Sequence, residues 1–344
     1  MNQLPNEIIC HILNFLDKTS DVINFSCTNK LNREIVIENK DIFNCTTKLN
    51  NKYINDIDKF IIIGKLNICI YKIIDQYIRD VSKFKNCYEL FLYECHNITD
   101  VSMLGKVKKL NLTGCINIRD VSMLGEVEEL NLTDCKNIRD VSNLGKVKNL
   151  NLSNCKNVID VSMLGKVNKL NLSYCHKITD VSMLGEVEEL NLSYCNKIID
   201  VSMLGKVKKL NLSNCYNITD VSMLGDIIDL DISCCYKVTD VSMLNRVKKL
   251  NLSNCYNIIN VSMLGNCKEL SLCNCTNISD VSALGNVESL NLKNCIEITD
   301  VSALKNVKYL NISGCEGITN FSTISNVVNI EFPYIWIKMN SIYN

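Results

Sequence analysis

LNLSNCYNITDVSMLG, at Leu210–Gly225, decides the fold, because it recurs with small changes from about residue 90 to about residue 325 at a spacing of twenty. Leucines stand at Leu90, Leu110, Leu130 and onward to Leu310, and cysteines at Cys95, Cys115, Cys135 and onward to Cys315. A fixed period of this size marks a solenoid, whose units each bury an apolar face only against their neighbours. A solenoid grows in one dimension, so a chain of 344 residues need not hold two ordinary domains. It also points to a binding surface rather than a catalyst.

Within one unit, Leu110 and Leu112 alternate with polar residues, which predicts a short strand with one buried face. Cys115, Ile118, Val121, Leu124 and Val127 then supply the remaining inward positions of the coil. Stacked coils place each strand beside the next in a parallel sheet. The segment after the aspartate, such as Val121–Val127, has room for a tight turn or one 3₁₀ turn, not for a full helix. Glycine recurs at Gly105, Gly125, Gly145, Gly165, Gly185, Gly205, Gly225, Gly265 and Gly285, and Asn245 or Lys305 takes the same slot elsewhere. Glycine and asparagine both tolerate positive φ, so a left-handed turn is expected there, with Lys305 strained or its coil turning differently. Asp100, Asp120, Asp180 and Asp300, with Asn260 and Asn320 as variants, are expected to cap the turn through backbone N–H groups.

The pattern L-x-x-L-x-L-x-x-C-x-x-I-T-D resembles the leucine-rich repeat in its cysteine-containing subtype, over about residues 66–330. Internalin-like repeats share the I-T-D-[IV]-S-x-L run but carry a slightly longer unit and Asn in place of Cys. The fold class implied is an α/β solenoid, a leucine-rich-repeat rod with a parallel sheet and short convex turns. The near-identity of the units also resembles repeat proteins of large DNA viruses that infect protists, which would make the target a host protein.

Residues 1–40 break the period. Leu4-Pro5-Asn6-Glu7-Ile8 opens a helically spaced run through Ile12, Phe15 and Leu16, with Pro5 at a first turn. Asp21, Val22, Cys27 and Lys30 follow at the spacing of a second helix and turn. This string resembles an F-box, although Leu31 stands where the family often has Trp. The resemblance implies docking to a Skp-type adaptor of a cullin–RING ubiquitin ligase through the exposed members of Leu4, Pro5, Ile8, Ile12 and Leu16. The organisation expected is therefore an F-box-like segment at 1–40, a connector with degenerate first repeats at 41–89, regular repeats at 90–329 and a C-terminal cap at 330–344. In the connector, Ile54-Asn-Asp56-Ile57 and Ile78-Arg-Asp80-Val81 echo the repeat twenty-four residues apart.

Twelve of the twenty cysteines share one slot, which reads as a ladder of buried neutral thiols. Zinc needs tetrahedral sets such as paired C-x₂-C; Cys267, Cys273 and Cys275 come nearest without forming one, so no metal or cofactor is expected. The opening MNQLPNEIIC lacks a basic n-region, so reduced thiols in cytoplasm or nucleus are expected, or host cytoplasm for a viral chain. No apolar run is long enough to span a bilayer, and a formal net charge of zero without a basic block argues against a nucleic-acid partner. No Ser-His-Asp set or phosphate loop is present, so the chain is not expected to be an enzyme.

Charges alternate by coil: Lys106, Lys108 and Lys109, then Glu126, Glu128 and Glu129, then Lys146 and Lys148. Equivalent residues on stacked strands are neighbours, so a self-complementary ladder is expected. The sheet face is expected to present Asn171, Asn191, Asn211 and their equivalents to solvent, with Asn211→Ala nearly silent on folding. Tyr174, Tyr194, Tyr216, Tyr236 and Tyr256 flank that face, and a cluster of exposed tyrosines is a typical interface anchor. With those three asparagines they form the expected surface for an unknown target protein. Plain scaffolding, with residues 1–40 only as a helical cap, is the rival reading.

Overall fold

A computed structural model describes residues 47–48, 65–68, 79–85, 87–319, 322–324, 327 and 329–332. The F-box-like run at 1–40, Ile54–Ile57 and Asn320 lie outside them, as do residues 333–344 of the expected cap. The chain divides into two compact units after Asn157.

In the first unit, β1 (Thr47–Lys48), β2 (Lys65–Ile68), β3 (Glu89–Leu92), β4 (Lys109–Asn111), β5 (Glu129–Asn131) and β6 (Asn149–Asn151) pair in parallel, each with the next. In the second, β7 (Lys169–Asn171), β8 (Glu189–Asn191), β9 (Lys209–Asn211), β10 (Asp229–Asp231), β11 (Lys249–Asn251), β12 (Glu269–Ser271), β13 (Ser289–Asn291), β14 (Tyr309–Asn311) and β15 (Asn329–Glu331) do the same. From β3 onward the strand pairs within each unit keep an offset of twenty: Leu210 lies beside Leu230, and Leu230 beside Leu250. From β2 to β3 the offset is twenty-four, with Leu66 beside Leu90. Parallel strands are normally buried on both faces, but here three-residue strands need only one inward leucine each.

The inward positions are those read from the pattern: Leu110, Leu112, Cys115, Ile118, Val121, Leu124 and Val127 are all buried, as are their equivalents in the coils from Leu90 to Cys315, while Ile330 on the last strand is half-buried. Between them the chain turns by short i→i−3 bonds, Cys115 N–H to Leu112 C=O at 3.0 Å and Leu124 N–H to Val121 C=O at 3.0 Å. The convex segment is a single 3₁₀ turn, Ser122–Leu124 in this coil and equivalent triplets elsewhere. It is opened by Asp120, whose Oδ1 accepts the Ser122 N–H at 2.9 Å; Asn260 does the same for Ser262 at 2.9 Å. The expected aspartate cap is therefore present, and its acceptor is all it needs.

The glycine slot differs from expectation. Gly105, Gly125 and Gly205 hold right-handed helical dihedrals, near φ −62 and ψ −13 at Gly205, and Asn245 holds φ −65 and ψ −10. The demand there is closeness: a Cβ on Gly105 would collide with the Met123 carbonyl oxygen of the next coil, and one on Gly205 with that of Met223. Lys305 is accommodated by a longer 3₁₀ segment, Ser302–Asn306.

The left-handed residue stands instead just before the cysteine, at φ between 53 and 62 in Glu94, Asp134, Asn154, Tyr174, Tyr194, Asn214, Cys234, Asn254, Asn274 and Asn294, with Gly114 and Gly314 in the same slot. Its N–H reaches forward to the next coil, as Asn214 N–H does to Ser233 C=O at 2.9 Å, and it is the third residue of the turn that Cys215 N–H closes on Leu212 C=O at 3.0 Å, the place where a type II turn requires positive φ. Both units are braced by cross-coil ion pairs, among them Lys108–Glu128–Lys148 at 3.3 and 3.2 Å and Lys169–Glu189–Lys209 at 3.1 and 3.4 Å. The alternating charges thus face each other as the sequence predicts. They are exposed, so each pair contributes little.

Candidate functional site

The sheet face begins with the strand asparagines. Asn211 does not simply face solvent: its Oδ1 accepts the Ser213 N–H at 2.8 Å, and Asn171 and Asn191 accept from Ser173 and Ser193 at 2.9 Å each. These bonds close the strand end in an Asx turn. The expectation that Asn211→Ala would be silent is corrected accordingly. Asp231 makes the same bond to Ser233 at 2.9 Å, so a carboxylate can replace the amide.

Immediately beyond the turn lies the left-handed slot. Asn, Asp and Gly accept it readily, whereas a bulky side chain there is an outlier. Tyr174 and Tyr194 occupy it at φ 61 and 62. Their rings stack with centroids 4.3 Å apart and planes 10° from parallel. The Tyr194 backbone carbonyl receives a ring N–H from His176 Nδ1 at 2.9 Å, and the His176 ring meets Tyr174 edge-on at 6.1 Å. A carbonyl can only accept, so His176 carries its proton on Nδ1.

Two residues further along the coil, a second stack continues the aromatic surface. Tyr216 and Tyr236 stack at 5.3 Å, and Tyr236 and Tyr256 at 5.6 Å. Tyr216 Oη donates to Asn214 Oδ1 at 3.2 Å. The Tyr236 phenol is pushed up to about 12, first by its hydrogen bond with the Cys234 side chain and then by partial burial. The structure therefore gathers the five tyrosines into two stacks on consecutive coils of the second unit. They are not one ladder: Tyr174 and Tyr194 occupy the left-handed slot, the other three the position two residues later. Tyr174 is 41 % exposed and Tyr256 42 %. Five coils, separated by four spacings of roughly 4.8 Å, give an aromatic strip about 19 Å long.

What such a strip can do is hold another surface by large, rigid, amphipathic contacts. Strained backbone persists where the surroundings over-determine it, and it gathers at functional positions. The slot geometry was not readable from sequence; the runs Ser-Tyr-Cys at 173–175 and 193–195, in place of Ser-Asn-Cys, were its only trace. Leu4, Pro5, Ile8, Ile12 and Leu16 lie outside the described residues.

Residues 1–43 match the family model of the F-box domain. The chain joins an F-box to leucine-rich repeats. Among solved structures, an internalin (inlF) from Listeria monocytogenes is 25 % identical, covers 73 % of this chain and 82 % of its own, and superposes with a TM-score of 0.57. The functional domain of InlJ from Listeria monocytogenes, which includes a cysteine ladder, is 19 % identical over 81 % of this chain and 70 % of that one, with a TM-score of 0.48. No curated protein sequence matches. F-box and leucine-rich-repeat modules are interaction modules, which agrees with an F-box/leucine-rich-repeat protein whose described surface is aromatic and amide-lined. Among the described residues no helix is long and apolar enough to cross a membrane.

Proposed function

We propose that this F-box/leucine-rich-repeat protein is the substrate-recognition subunit of an SCF-type cullin–RING ubiquitin ligase. The observation that carries the reading is the order of its parts: an F-box match at residues 1–43 followed by a leucine-rich-repeat solenoid. Leu4, Pro5, Ile8, Ile12 and Leu16 dock a Skp-type adaptor with their apolar side chains. The solenoid holds the target protein at Tyr174, Tyr194, Tyr216, Tyr236 and Tyr256, beside Asn171, Asn191 and Asn211. Support for that surface comes from the two strained tyrosines, whose slot would be relaxed by asparagine. The chain carries no catalytic step itself; ubiquitin transfer belongs to the partners that the adaptor brings. The working compartment is the cytoplasm or the nucleus.

The test is a pull-down of purified Skp-type adaptor by the intact chain and by a Leu4→Ala/Ile8→Ala double variant. Capture by the intact chain and its loss in the variant are the expected results. Failure of a folded intact chain to capture the adaptor would leave the chain as a repeat scaffold with a helical N-terminal segment.

A further inference from the structure

The 3₁₀ turns carry a feature that folding does not use. Met163, Met183, Met203, Met223, Met243 and Met263 stand on six successive coils of the second unit, and Met183, Met203 and Met223 are each 61 % exposed. Exposed Ile199 and Ile259 lie on the same edge, one residue before the turn-opening Asp200 and Asn260. Contiguous exposed apolar side chains of this kind mark interaction surfaces, and methionine's flexible thioether suits them to re-pack around a partner.

Three residues ahead of the methionines runs a row of carboxylates: Asp160, Asp180, Asp200, Asp220 and Asp240. Each gives one oxygen to a serine N–H, at 2.9 Å for Asp180 and 2.8 Å for Asp220. Those bonds hold the carboxyls below the usual carboxylate range, so the row stays ionised. Among the described residues none of these five forms an ion pair, and their charged neighbours are each other: Asp160 and Asp200 beside Asp180, Asp200 and Asp240 beside Asp220. On the opposite flank of the methionines Lys206 pairs with Glu186 at 2.8 Å and Arg246 with Asp226 at 2.9 Å, and Lys166 is the one further charge. The stripe is thus apolar with one uncompensated negative edge.

We propose that this stripe is a second docking surface, which takes a cationic amphipathic helix of a partner protein. Its apolar residues lie against the methionines and its Lys or Arg residues against the aspartates. The turns offer no unpaired sheet edge for an added strand, so an extended segment gains no backbone bonds there. A helix turn advances about 5.4 Å and a coil about 4.8 Å, a mismatch of about 0.6 Å per step that flexible methionines absorb over several coils. The negative edge repels phosphate-rich surfaces, which leaves a basic protein segment as the complementary occupant.

The chain supplies its own controls. Asn260 replaces aspartate and keeps the serine bond at 2.9 Å, and Ala283 replaces methionine in a turn of unchanged form. Charge and thioether can therefore be removed without disturbing the coil. The probe is a labelled helical peptide of about 18 residues, enough to cover six coils, with Leu on one face and Lys beside it, read by fluorescence anisotropy with the full chain. The expected result is salt-sensitive binding that falls at least about tenfold in Asp180→Asn/Asp200→Asn/Asp220→Asn/Asp240→Asn. Met203→Ala/Met223→Ala/Met243→Ala weakens it as well, with circular dichroism unchanged in both variants. No binding by the intact chain, equal binding by either variant, or equal binding of a sequence-scrambled or Lys→Glu peptide overturns the proposal.

Discussion

Cys215 Sγ lies 3.1 Å from the backbone carbonyl of Leu192 and donates its S–H across to the preceding coil. The same bond joins Cys235 to Leu212 at 3.3 Å, Cys275 to Leu252 at 3.1 Å and, in the first unit, Cys135 to Leu112 at 3.1 Å. The slot's cysteine is thus both core filler and donor, and only the protonated thiol can do the second job.

Alkaline unfolding follows. Burial pushes the Cys215, Cys255 and Cys275 thiols up from 9.0 to about 12. Below pH 9 both folded and unfolded chains hold these protons, so the thiols make stability independent of pH. Between pH 9 and 12 the unfolded chain releases protons that the folded chain keeps, and stability falls by about 1.4 kcal/mol per pH unit for each thiol. With many such thiols the loss is steep. Circular dichroism should show cooperative unfolding within this window, and thiol reagents should react with the ladder only where the signal is lost. A fold that persists to pH 12, or thiols that react in the folded state at pH 8, would contradict the buried-donor role.

Gly205→Ala separates closeness from conformation. At right-handed dihedrals an alanine ordinarily stabilises by limiting the unfolded chain. Here its Cβ would press on the Met223 carbonyl, so the substitution should destabilise by about 1–3 kcal/mol in urea denaturation. A gain in stability would show that the coils separate freely at that point.

Asn211 and Leu210 should differ in kind. Leu210→Ala removes a side chain that is 2 % exposed and should cost about 2–5 kcal/mol. Asn211→Ala leaves the Ser213 N–H without its acceptor and should cost about 0.5–2 kcal/mol, while Asn211→Asp keeps the acceptor, as Asp231 does for Ser233, and should cost less, only the repulsion of Asp231 on the adjacent strand. Equal losses from Ala and Asp at position 211 would remove the Asx turn from the account.

The strained tyrosines predict a separation of stability from binding. Tyr174→Asn/Tyr194→Asn puts a residue tolerant of positive φ where Asn214 and Asn254 already sit. The melting temperature should hold or rise while capture of the target protein is lost. A variant that melts earlier and still binds would make these rings structural.

The period carried most of the fold into view because each inward slot is chemically uniform: Leu110, Cys115, Ile118 and Val121 recur with the same class of residue, and burial is what uniformity reports. The aspartate cap was legible for the same reason, as Asn260 shares its acceptor. The glycine slot was misread because glycine answers two demands, positive φ and close approach, and the sequence does not say which. The left-handed slot escaped notice because its occupants are so mixed; the constraint there acts on the backbone, and Glu94, Tyr174 and Cys234 meet it under strain. That the tyrosines cluster was legible from their recurrence, but their division into two stacks depends on a two-residue offset around a turn whose direction only the folded chain gives.

Because β9, β10 and β11 meet their neighbours through the same three backbone positions with the same side chains beneath, a further copy could enter between any two of them and find both new junctions already made. The length of surface the chain offers is therefore quantised in steps of roughly 4.8 Å. Unequal exchange between copies of the coding unit would resize the molecule by whole coils, and each product would inherit an intact interior, leaving selection to act only on what the added coil displays.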